Sequence, residues 1–180
     1  MDRDLISTSK FLSLVLRHQP EKIGLRLDDE GWVEVDELLA AASRSGRKLN
    51  RPLLERVVRE NDKQRFAISL DGRRIRANQG HSLAVNLRLQ PVEPPELLYH
   101  GTVAKFLDSI RNDGLVRGTR QYVHLSPDLE TARRVGQRRG QPVILVVEAG
   151  RMCREGHLFY HSDNGVWLTE QVPAVYLRWD

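Results

Sequence analysis

The chain has 180 residues, 40% of them hydrophobic and 29% charged, which suffices to bury a core in one to one and a half domains. The single cysteine, Cys153, cannot close a disulfide within the chain, no apolar run approaches about 18 residues, and the start MDRDLIST lacks a signal-peptide core. Membrane spanning, secretion and a disulfide scaffold are therefore not expected, and a reduced cytoplasmic setting is the expectation.

The net charge of +4 is unevenly placed, since residues 1–90 carry 17 Lys and Arg against 13 Asp and Glu, whereas residues 91–180 carry 11 of each. Aromatic residues divide the other way, three before residue 91 and eight after it. Arginine outnumbers lysine 23 to 5, and a guanidinium fork matches phosphate oxygens better than a point charge does, although a GC-rich genome produces the same bias.

Apolar residues Leu5, Ile6, Phe11, Leu12, Val15 and Leu16 recur near a 3.6 period and predict an amphipathic helix over 2–16, closed by Pro20. Residues 32–35 form a short strand, and Asp36 is expected to cap the helix after it. Asn50 caps another helix with Pro52 in its first turn, and Leu53, Leu54, Val57 and Val58 share a face. Two short strands around the turn Leu70-Asp71-Gly72 form a basic hairpin, with Arg74 and Arg76 on one face. Helix, strand, two helices and hairpin is the order of a winged helix, a nucleic-acid-binding design.

Pro91, Pro94 and Pro95 make residues 91–96 an extended linker between a first lobe (1–90) and a second (97–180). In the second lobe, residues 97–100 read as a strand and 102–112 as a helix stopped by Gly114. A strand at 122–126, a helix over 127–139, a buried strand from Pro142 and three short strands around 158–160, 166–169 and 175–179 follow. The expected fold class is α+β. Neither GxGxxG nor GxxxxGK[ST] occurs, which removes a Rossmann site and a P-loop.

Several residues carry possible chemistry. Arg17-His18 ends the first helix, as a helix cap or as a phosphate trap with a proton carrier. Arg65 opens a hairpin strand. His100-Gly101-Thr102 reads as a strand end entering a helix, where free N–H groups suit an anion and Gly101 admits close backbone approach. His124-Leu125-Ser126 repeats the pattern; the two histidines converge on one pocket or are separate half-buried sheet residues. Arg120 stands just ahead of the second motif. Arg133, Arg134, Arg138 and Arg139 read as a solvated helix face. His157 and His161 have H-x3-H spacing without further ligands, so no metal is expected, and Cys153 reads as packing.

The segments 9–18 (SKFLSLVLRH), 31–32 (GW), 62–66 (DKQRF), 75–82 (IRANQGHS), 99–102 (YHGT), 123–126 (VHLS) and 164–169 (NGVWLT) are weak one by one, but in this order they are specific. Together they resemble the RNA 2′-phosphotransferase family, NAD+-dependent enzymes that remove a splice-junction 2′-phosphate from tRNA. The resemblance implies an N-terminal winged-helix lobe holding RNA and a C-terminal ADP-ribosyltransferase-like lobe holding NAD+ as co-substrate. It assigns Arg17, His18, Arg65 and Arg120 to catalysis, His100, Gly101, Thr102, His124 and Ser126 to NAD+, and Arg76, Gln79 and His81 to the RNA. In the implied reaction the RNA 2′-phosphate attacks C1″ of the nicotinamide ribose and nicotinamide leaves. The ribose 2″-OH then attacks the phosphorus, giving 2′-OH RNA and ADP-ribose 1″,2″-cyclic phosphate.

Guanidiniums around the phosphorane suit that second step. The family's relatives that modify proteins often carry a glutamate near the third motif, where Asn164-Gly165-Val166-Trp167 stands here, consistent with an acceptor that needs no activation. Other readings are ADP-ribosyl transfer to terminal phosphates of RNA or DNA, a 2H-type phosphoesterase, and a non-enzymatic winged-helix regulator. Nothing in the sequence demands a dimer, so a monomer is expected.

Overall fold

The computed structural model describes residues 3–61 and 63–179, so Asp2, placed in the first helix by its periodicity, and Asp62 of the matching segment lie outside the described residues. The chain is α+β and divides into two compact units, Met1–Arg88 and Leu89–Asp180.

In the first unit, α1 (Arg3–Arg17) buries Leu5, Thr8, Leu12, Val15 and Leu16 along one stripe, with Asp4 in its first turn and Arg17 in its last, each favourable to the helix dipole. A 3₁₀ turn (Pro20–Ile23) ends at Gly24, whose φ of 70° lies in the left-handed region. Strand β1 (Val33–Glu34) leads directly into α2 (Val35–Arg44). Asp36 does not cap this helix. Val35 is buried and its N–H is held by the Arg73 carbonyl at 2.7 Å, so the helix starts two residues earlier, leaving Asp36 inside the first turn.

Helix α3 (Arg51–Arg59) starts as expected, with Asn50 Oδ1 accepting from the Leu53 N–H at 2.9 Å. Strands β2 (Phe66–Ile68) and β3 (Arg74–Ala77) pair antiparallel, Phe66 with Ala77 and Ile68 with Ile75, in a three-stranded sheet of order β1-β3-β2. Leu12, Leu16, Leu38, Leu54 and Ile75 form the fully buried centre beneath it.

The second unit begins before its first strand. Val92 N–H donates to the Phe159 carbonyl at 2.8 Å, and the Glu96 carboxylate meets Arg154 at 2.6 Å, so the proline segment is bonded into this unit. Strand β4 (Leu98–Val103) is followed by a 3₁₀ turn (Ala104–Phe106), α4 (Leu107–Asp113) and β5 (Leu115–Val116). Next come β6 (Val123–Leu125), α5 (Leu129–Gly136), a 3₁₀ turn (Gln137–Arg139), β7 (Pro142–Val147) and α6 (Ala149–Arg154). Strands β8 (Phe159–His161), β9 (Trp167–Thr169), β10 (Gln171–Val172) and β11 (Leu177–Trp179) complete it.

These strands form antiparallel sheets of order β11-β7-β4, β6-β9-β8 and β10-β5. Leu98, Leu125, Leu145, Val147 and Phe159 lie in the common core. Helix α6 and strands β5 and β10 are too short for a period to show in sequence. Among the described residues no helix is long and apolar enough to cross a membrane.

The helix expected from Thr102 begins only at Leu107, because β4 continues through the H-G-T motif. His100, Gly101 and Thr102 pair with Leu145, Ile144 and Val143 of β7. Gly101 therefore does not open a helix. Its missing side chain serves close packing, since a Cβ there would stand 1.8 Å from the Ala132 carbonyl oxygen of α5.

Candidate active site

In the first unit the end of α1 and the start of β2 are tied together by residues 78–82. The backbone N–H of Ser82 donates to the Arg17 carbonyl at 3.0 Å, and Ser82 Oγ lies 3.0 Å from His18 Nδ1. Asn78 donates from its backbone to the Arg65 carbonyl at 2.9 Å and from its side chain to the Gln64 carbonyl at 2.6 Å. One strap thus sets Arg17, His18 and Arg65 in common register.

Other contacts aim the guanidiniums. Arg65 Nη1 donates to Asn61 Oδ1 at 3.1 Å, while the Asn61 amide donates to Ser9 Oγ at 3.0 Å. Arg17 Nη2 approaches the Arg65 carbonyl at 3.5 Å, and its guanidinium lies 5.9 Å from the Phe66 ring centre. Gln64, with φ at 39°, adopts the left-handed conformation that turns the chain into β2. Two half-buried guanidiniums and an exposed imidazole on one rigid frame suit a multiply charged oxyanion.

The three residues expected to touch RNA fare differently. Arg76 is half-buried, its guanidinium 4.6 Å from the Trp32 ring centre. Gln79 and His81 are buried, at 9% and 1% exposure, so they stand beneath the cationic surface and do not present a face to a ligand. Both ring nitrogens of His81 and Oε1 of Gln79 lack a hydrogen-bond partner among the described residues. Gly31, at φ 80°, brings its backbone close to the ring; a Cβ there would stand 3.3 Å from Nε2. Burial, reinforced by the charges of Arg17, His18 and Arg76, lowers the His81 pKa to about 4.

In the second unit the two motif histidines meet. Tyr99 and Ser126 exchange backbone hydrogen bonds of 2.9 and 2.7 Å, joining β4 to the end of β6. His100 Nδ1 lies 3.1 Å from the His124 carbonyl oxygen, which accepts only, so Nδ1 carries a proton. Arg120 Nη1 lies 3.1 Å from His124 Nδ1; a guanidinium only donates, so this nitrogen accepts and the neutral ring keeps its proton on Nε2. Burial, despite the carbonyl contact, lowers the His100 pKa, with Arg139 and Arg120 adding to the shift. The Arg120 pKa is also lowered, first by burial and then by Arg139. Thr102 is buried and Ser126 half-buried beside them.

Arg139 is exposed, as expected for a solvated face, but it stands in the short 3₁₀ turn, and its charge acts on His100 and Arg120. Only the tertiary path of the chain after α5 brings it there. His157 packs edge-on to Tyr176, and His161 lies 4.7 Å from the Trp167 ring centre. Among the described residues no cluster of three or more His, Cys, Asp or Glu side chains has the geometry to hold a metal ion. Cys153 packs half-buried against the core.

Both candidate sites of this α+β chain present arginine and histidine side chains, a chemistry suited to phosphate-bearing ligands. The chain belongs to the RNA 2′-phosphotransferase, Tpt1 / KptA family, whose model matches residues 3–171. It is 58% identical over 180 residues to a protein of Pseudomonas aeruginosa (strain UCBPP-PA14) named probable RNA 2′-phosphotransferase, covering 99% of each chain. Proteins of the same name from Flavobacterium johnsoniae and Streptomyces coelicolor are 56% and 58% identical, each covering 96% of this chain and 94% of its own.

Proposed function

We propose that the chain removes an internal 2′-phosphate from RNA by transferring it to NAD+. The first unit acts as a winged-helix lobe holding the RNA, and the second as an ADP-ribosyltransferase-like lobe holding NAD+. The carrying observation is the strap of residues 78–82, which fixes Arg17, His18 and Arg65 together. Family membership supplies the RNA 2′-phosphate as their ligand.

Arg17 and Arg65 bind the phosphate oxygens and orient one of them for attack. A phosphate dianion is already a nucleophile, so this step needs no strong base at His18. NAD+, when bound, supplies an electrophilic ribose carbon from which nicotinamide departs. The donor set of the second unit fits such a ligand: Arg120 and Arg139 are cations for its pyrophosphate, while the half-buried His100 and the buried Thr102 are polar groups for a ribose. In the second step Arg17 and Arg65 stabilise charge on the crowded phosphorus, each worth roughly 10²–10³ in rate by analogy with single oxyanion donors. His18 moves the proton of the attacking hydroxyl.

The test is incubation with NAD+ and an RNA bearing one internal 2′-phosphate. Release of nicotinamide and ADP-ribose 1″,2″-cyclic phosphate is expected, and absence of reaction by folded protein overturns the proposal. A parallel RNA with only a terminal phosphate separates this activity from terminal ADP-ribosylation. Arg65→Ala should stall at or before the second step, so full turnover by that variant removes Arg65 from the set.

A further inference from the structure

One groove of the first unit extends well beyond the residues given a role in the reaction. It runs along α1 between that helix and α3, with a volume of about 580 Å³, inside the roughly 300–1,000 Å³ range of ligand pockets. Ile6, Lys10 and Leu14 recur every four residues and so line one face of the helix, and His18, just past its end, continues the row. At a rise of 1.5 Å per residue, the stretch from Ile6 to His18 is about 18 Å long. Val57 of α3 closes the floor.

One end of this groove is the candidate site itself, since His18 and Arg65 belong to its wall. Its charge is also one-sided. Among the described lining residues Lys10, Lys63 and Arg65 are cations and Glu60 is the one carboxylate, held by Arg56 at 3.2 Å and by Arg59 at 3.5 Å. An apolar floor with cations along its edge matches a strand whose bases are apolar on their faces and whose backbone is anionic.

We infer that this groove holds the single-stranded RNA adjoining the phosphorylated nucleotide, and so makes the protein prefer internal sites in unpaired RNA over minimal substrates. The inference rests on the proposed reaction, because only that reaction places the 2′-phosphate at His18 and Arg65. Apolar contact with Ile6 and Leu14 is sequence-tolerant, so the preference is for length and lack of pairing.

The experiment compares three RNAs with NAD+: a 2′-phosphorylated dinucleotide, and the same unit extended by several unpaired nucleotides on its 5′ or its 3′ side. One extension should raise kcat/KM by about tenfold, which is about 1.4 kcal/mol. Ile6→Glu and Lys10→Glu should erase that gain while the dinucleotide rate changes less than about twofold. Both positions are exposed, so the substitutions leave the core intact, which a urea midpoint confirms. Binding of the extended RNA to Lys10→Ala should lose about 0.7 from the slope of log K against log salt.

The inference is overturned if neither extension helps the parent protein, or if the gain survives both substitutions; the latter result would leave the groove to a protein ligand. If no RNA turns over but extended RNA still binds in a Lys10-dependent manner, the proposed reaction fails and the groove assignment stands.

Discussion

Ser82 Oγ stands 3.0 Å from Nδ1 of His18, across 64 positions of sequence. The contact ties the ring to the strap, and the neighbouring bond from Ser82 N–H to the Arg17 carbonyl fixes the backbone beneath it. Ser82 is therefore a positioning residue for an imidazole that has left the regular helix.

Replacing Ser82 by alanine should lower kcat roughly 10- to 100-fold, the scale of a misplaced reacting group, with little change in KM for RNA. Ser82→Thr keeps a hydroxyl at the same place and should restore most of the rate. Because both partners are exposed, the urea midpoint should stay within about 0.5 kcal/mol of the parent. An unchanged kcat in the alanine variant would remove Ser82 from this role.

His81 makes stability depend on pH. Its folded pKa of about 4 lies below the ordinary value of 6.5, so between those limits the unfolded chain binds more protons than the folded one. Stability is thus full above about pH 6.5 and declines as pH falls toward 4, by about 3 kcal/mol from this group. Urea unfolding at pH 7 and pH 4.5 measures the decline. His81→Gln should flatten it, and an equal decline in that variant refutes the assignment.

Gly101→Ala tests whether the H-G-T glycine serves the fold. A Cβ would lie 1.8 Å from the Ala132 carbonyl oxygen and 2.8 Å from the Gly136 nitrogen, both backbone atoms that cannot swing aside. The substitution should destabilise the second unit by about 3 kcal/mol or more, seen as a lowered Tm by circular dichroism. Unchanged stability with lost activity would instead make this glycine a ligand contact.

Arg139→Ala should raise the KM for NAD+ about tenfold in the proposed reaction while leaving the KM for RNA unchanged. The reason is the loss of one cation whose charge reaches both His100 and Arg120. Arg139→Lys retains the charge and should recover part of the affinity. An unaltered KM returns Arg139 to the solvated face.

Local signals were legible where a residue acts on its own neighbours. Asn50 bonds three residues ahead, Gly72 turns the hairpin at φ 73°, and Gly114 ends α4 at the same angle, all as expected from residue type. Errors arose where a distant partner decides. Asp36 lost the cap because Val35 is held by Arg73, and the H-G-T motif stayed extended because β7 pairs with it residue by residue.

The sequence by itself determined the α+β class, the amphipathic faces and, through its ordered motifs, the family, because helix periods, turn residues and motif order are properties of the chain alone. Only the tertiary structure decided which side chains act at a surface and which support it from below. It buried Gln79 and His81, set His100 against the His124 carbonyl and Ser82 against His18, and opened the groove along α1. Each of these depends on residues far apart in sequence that reach one another through packing, and side-chain exposure is a property of that packing rather than of residue type.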